Sequence, residues 1–177
     1  MRPLLLSAAL AALLLACSPP AQREAEAPSS EQAPQVQACN AVAPNLSRTV
    51  RVEDAEAVAS AASDLRGGSI APGVYDLTRV VRIGEATGWQ GERAVALEVS
   101  EDAAGAVTFN WAGAAPGGAI DTWTATFADT APNARLSYTC GRMGAVDASF
   151  AARANALQLR LPDGASGSLQ VDFQRRS

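Results

Sequence analysis

Residues 95–127 read VALEVSEDAAGAVTFNWAGAAPGGAIDTWTATF, and their spacing decides the fold. Val95, Leu97 and Val99 recur every second position, as do Val107, Phe109 and Trp111, and Trp123, Ala125 and Phe127. Between these rows stand Glu98, Thr108, Asn110, Thr124 and Thr126. A period of two places alternate side chains on opposite faces of an extended chain, so each run is a strand with one apolar face. Glu101-Asp102-Ala103-Ala104-Gly105 supplies turn residues between the first two runs, and the Gly113–Gly118 stretch is a permissive connection between the second and third.

The same alternation extends in both directions. Upstream, Tyr75, Leu77, Val81 and Ile83 form an inner row that Arg79 interrupts. Downstream come Leu136-Tyr138-Cys140, Val146-Ala148-Phe150, Leu157-Leu159-Leu161 and Leu169-Val171-Phe173, with turns at Pro132-Asn133 and Asp163-Gly164. Eight one-sided strands at short, regular spacing predict an antiparallel meander. Closing it into an up-and-down barrel hides every apolar face and leaves no exposed edge. The fold class expected is therefore all-β, an eight-stranded antiparallel up-and-down barrel. One short helix is expected before it, over Glu53 to Leu65, where acids open an Ala-rich run and Gly67-Gly68 follow its end.

The chain opens with Met1-Arg2-Pro3 and an apolar run from Leu4 to Leu15 broken only by Ser7. That run is shorter than the ~20 residues a spanning helix needs and suits a secretory signal. It ends in Leu14-Leu15-Ala16-Cys17, which resembles the bacterial lipobox. The resemblance implies cleavage after residue 16, lipid on Cys17, and export to a membrane surface; Ser18 after the cysteine is similar to lipoproteins sorted to the outer membrane and facing the periplasm. Residues 18–37, SPPAQREAEAPSSEQAPQVQ, contain no aromatic residue and bury too little apolar surface to offset ordering, so they read as a tether. The expected organisation is a signal over 1–16, a lipidated cysteine and tether over 17–37, and a barrel domain over 38–177. With Cys17 acylated, Cys39 and Cys140 remain as a disulfide pair in an oxidising compartment.

Composition excludes much chemistry. The sequence has no histidine, and its net charge is −4 with every basic residue an arginine. Ser–His–Asp and Cys–His nucleophiles and His-ligated metals are ruled out, and nothing indicates a nucleic-acid surface. No catalytic residue, metal set or cofactor is assigned, and the chain is not expected to be an enzyme. Asn45-Leu46-Ser47 matches a glycosylation acceptor, but a bacterial signal argues against its use.

Tyr75, Phe109, Trp111, Trp123, Tyr138 and Phe150 are large aromatics on inner rows and are expected to share the interior. Either they fill the barrel, which with eight strands is barely wide enough for side chains, or they line a cavity for a small apolar ligand. Trp89, in the irregular loop 84–91, is the candidate surface contact or plug.

Two family resemblances follow. Gly73-Val74-Tyr75, opening a meander after a helix, is similar to the Gly-x-Trp start of a lipocalin barrel, with Tyr in place of Trp; this implies ligand carriage. Tyr138-Thr139-Cys140 followed by Gly144, Val146 and Phe150 resembles the opening of the membrane-bound C-type lysozyme inhibitors, and Ala165-Ser166-Gly167 echoes their Ser-Gly loop. That likeness implies a protein-binding inhibitor in the periplasm. The expectation carried forward is a monomeric, non-catalytic binding module, anchored by lipid, taking a small apolar ligand or an envelope protein.

Overall fold

A computed structural model describes residues 38–55, 65–130 and 133–177. The expected signal, Cys17, the tether, most of the expected helix and Pro132 lie outside them. Among the described residues the chain is all-β, with nine strands: β1 Val50–Ala55, β2 Gly73–Ile83, β3 Glu92–Glu101, β4 Val107–Ala114, β5 Asp121–Thr130, β6 Asn133–Cys140, β7 Ala145–Arg153, β8 Ala156–Asp163 and β9 Gly167–Arg175. From β2 to β9 each strand pairs antiparallel with the next, and β2 pairs with β9, so one sheet closes on itself as a ring.

The strand count corrects the expected eight. The added strand, β1, occupies a gap where β2 and β3 diverge. Gly73–Asp76 of β2 pairs directly with β3, but Val80–Ile83 pairs in parallel with Val52–Ala55, and Val50 and Arg51 pair with Arg93 and Glu92 of β3. Without β1, the backbone groups along the diverging edges would lack partners. The first residues of the expected helix, Glu53 to Ala55, are the end of this strand. The acids that resemble a helix's first turn serve instead as cross-strand partners, Glu53 to Arg79 at 2.9 Å and Asp54 to Arg82 at 2.6 Å. Residues 56–64 lie outside the described part.

The inner rows match the alternation almost throughout. The core contains Val95, Leu97, Val99, Phe109, Trp111, Trp123, Ala125, Phe127, Leu136, Ala148, Phe150, Leu157, Leu159, Leu169, Val171 and Phe173. Strand β2 departs from it. A register shift between Leu77 and Arg79 inserts one extra residue, which reverses the alternation beyond it. Val80 consequently joins the core, whereas Val81 and Ile83, expected on the inner row, are buried outside that cluster.

The turns alternate between two ends of the ring. At one end, Gly67 bonds to β7 through Phe150 O (2.8 Å) and Ala152 N (3.0 Å), Ile70 packs on the core, and Ala71 O accepts the Tyr75 hydroxyl at 2.6 Å. Segment 67–71 thus covers this end, above a packed group in which Phe109 stacks on Phe127 at 4.7 Å and Phe127 meets Phe150 edge-on at 5.2 Å. The opposite end gathers the loops 84–91, 115–120, 141–144 and 164–166. It also contains the place where β1 is inserted. Ring diameter grows with strand number, so this end, with nine strands abreast, is the wider one.

Candidate functional site: an aromatic cavity at the open end

Trp111 and Trp123 are direct neighbours in the β4–β5 register. Their side chains therefore rise on the same face, and the rings stack at 5.1 Å with 14° between planes. Trp89, from loop 84–91, leans on Trp111 at 5.6 Å, and Tyr138 of β6 meets Trp123 edge-on at 5.3 Å. These four rings form a continuous wall along one side of a cavity of about 410 Å³, whose other side is built from Leu161, Leu169 and Val146. Such a volume suits a small molecule. Arg142 and Met143, from the β6–β7 turn, stand at its rim; Met143 is 96% exposed. The Arg142 guanidinium lies 5.7 Å from the Trp123 ring centre and 5.8 Å from that of Tyr138. The Trp123 indole nitrogen is buried with no hydrogen-bond partner among the described residues.

Loop 84–91 is pinned over the opening by the β8–β9 turn. Gly88 N donates to Asp163 Oδ2 at 2.8 Å, and the Ser166 hydroxyl donates to Glu85. Gly167 matters for lack of a side chain: a Cβ there would lie 2.1 Å from Ala86 N and 2.4 Å from Ala86 Cα. Gly167→Ala must therefore displace loop 84–91. Overpacking of this kind costs about 1–3 kcal/mol. The expected outcome is a lower denaturation midpoint together with a changed near-ultraviolet circular dichroism signal from the Trp89–Trp111 pair. An unaltered signal would mean that the loop is held by other contacts.

Cys39 and Cys140 form a disulfide with Cα atoms 5.6 Å apart. A register shift in β5–β6 sets Cys140 opposite Thr124, on the outward row of β5. The bond therefore ties the N-terminal segment to the outside of the rim. It places Asn40 so that its side-chain amide donates to the carbonyls of Trp111 (3.2 Å) and Trp123 (3.0 Å). One side chain thus bridges the backbones of the two stacked tryptophans.

Of the aromatics expected to face the interior, only Trp111, Trp123 and Tyr138 reach the cavity. Tyr75, Phe109 and Phe150 are fully buried in the filled part. Burial pushes the Tyr75 phenol above its ordinary range, opposed by the positive charge of Arg175. Trp89 is half-buried and shared between contact and plug. Sequence reasoning missed Asn40 and Arg142, and gave Gly167 only as part of an echoed Ser-Gly loop, not as a close contact of loop 84–91. An Asn, an Arg and a Gly near turns are ordinary turn chemistry, and only the folded geometry gives them a purpose.

No protein-family model matches this chain, and no curated protein matches it. Among solved structures it is similar to a de novo designed fluorescence-activating β-barrel, with a TM-score of 0.43 and 12% identity over 60% of this chain and 94% of that one.

Proposed function

We propose that this protein is a non-catalytic binding module of the bacterial cell envelope, a lipocalin-like up-and-down barrel held at a membrane by lipid on Cys17. Its open end takes a small apolar or aromatic ligand. One observation carries the reading: a cavity of about 410 Å³ walled by Trp89, Trp111, Trp123 and Tyr138. A wall of indoles offers flat apolar area to a planar or hydrocarbon ligand. The absence of histidine from the sequence favours binding over hydrolysis. Arrival at the membrane is checked separately, by the mass of the mature N-terminal peptide, which should begin at an acylated Cys17.

Trp89→Ala is the informative substitution. Trp89 comes from a loop and is half-buried, so its loss should hardly change the melting temperature. Truncating a central aromatic at a binding site typically costs about 2 kcal/mol or more, so affinity for an aromatic ligand should fall at least about tenfold. Calorimetric titration of a broad hydrophobic panel provides the measurement. Absence of binding by the parent protein across that panel would remove the ligand reading, and equal affinities for parent and variant would move the site elsewhere.

A further inference from the structure

We infer that the ligand of the open end is an anionic amphiphile, a planar apolar body with a carboxylate or phosphate head that Arg142 receives. The inference rests on the cavity being a binding site, as proposed above, and adds the chemistry of the head group.

The aromatic wall already carries a cation. Arg142 lies over both Trp123 and Tyr138, and on the far side of Trp89 the Arg93 guanidinium sits 5.9 Å from the Trp89 ring centre. A cationic guest would have to approach the Trp123 and Tyr138 rings beside Arg142, against its charge. Cation recognition by the aromatic cage is therefore disfavoured despite its ring content.

An anion meets the opposite situation. A guanidinium has five N–H donors in a planar fork matched to carboxylate and phosphate. Among the described residues Arg142 makes one ion pair, to Asp121, at 3.4 Å, with both side chains well exposed. Most of its donors are therefore left for another acceptor. Asp163, the acid on the cavity wall, accepts from Gly88 N through Oδ2. The exposed guanidinium of Arg142 thus stands beside an apolar recess, which is the complement of an amphiphile with an acidic head.

Four probes with one ring system separate the possibilities: 2-naphthoic acid, 2-naphthyl phosphate, 2-naphthalenemethanol and a naphthyl trimethylammonium salt, titrated calorimetrically into the full mature chain. The two anions should bind about tenfold more tightly than the alcohol, the size of effect a charge-assisted hydrogen bond supplies, and the ammonium most weakly. Arg142→Gln should erase the anion advantage, bringing the acids to the alcohol's affinity in the same variant. Arg142→Lys, which keeps charge but not the fork, should retain part of it. Equal binding of acid and alcohol by the parent protein, or an anion advantage surviving in Arg142→Gln, overturns the inference and leaves the cavity reading standing. If none of the four probes binds, the cavity reading and the inference fall together. A preference between the two anions identifies which acidic head the site takes.

Discussion

Reduction of the Cys39–Cys140 disulfide should lower the unfolding free energy by about 2–5 kcal/mol, the range found when native disulfides are removed from small exported domains. The bond spans a sequence separation of 101 residues. Chain-entropy reasoning gives about 4–5 kcal/mol for closing a loop of that size in the unfolded chain. A native-state contribution adds to this. Cys39 N donates to Thr122 Oγ1 at 3.1 Å, and the next residue, Asn40, bridges the backbones of Trp111 and Trp123. Once the covalent bond is gone, these polar contacts, with that of Arg176 to Ala43 O at 3.2 Å, must hold the segment in place. Cys39→Ser and Cys140→Ser should each reproduce the loss, and the double variant should cost no more than either single one, because both remove one bond. Urea titrations with and without reductant measure it. A midpoint indifferent to reductant would show that the segment is held by hydrogen bonds alone.

That pairing was readable before any coordinates, and so were the eight strands β2 to β9. A period of two survives wherever one face is buried and the other wet, and these strands satisfy that condition along nearly their whole length. The failures share one cause, pairing that depends on a distant segment. Glu53 and Asp54 carry the composition of a helix start, but their partners are Arg79 and Arg82 on a neighbouring strand, and local propensity has no access to that contact. The bulge at Leu77/Arg79 is similar. Arg79 signalled that the inner row was interrupted, yet whether the chain resumes in phase or reversed depends on its register with β9. The site was half legible for the same reason. Inner-row aromatics can be listed from alternation, but alternation gives no height along the ring. Height separates Trp111, Trp123 and Tyr138 at the open end from Tyr75, Phe109 and Phe150 in the filled part.

That separation can be tested directly, since Phe150→Ala should destabilise the fold by about 3–5 kcal/mol and leave ligand affinity of the folded protein unchanged. Phe150 is fully buried and meets Phe127 edge-on at 5.2 Å, within the group covered by segment 67–71. Truncating a buried Phe removes its transfer free energy and leaves a cavity that the surrounding strands fill only partly. A closed ring collapses poorly, because moving one strand inward disturbs the pairing on both sides of it, so the upper part of the range is expected. Binding should be spared because the cavity wall is built from rings nearer the other end, of which Trp111 meets Phe173 edge-on at 5.7 Å. Trp89→Ala is the mirror case, with little stability lost and most affinity gone. Denaturant unfolding and calorimetric titration on both variants give four numbers. If Phe150→Ala weakens binding in proportion to its loss of stability, the interior behaves as one continuous core and the open end is not an independent site. If the two losses dissociate, the filled half of the ring maintains the fold while the wider half, opened by β1, is free to hold a guest.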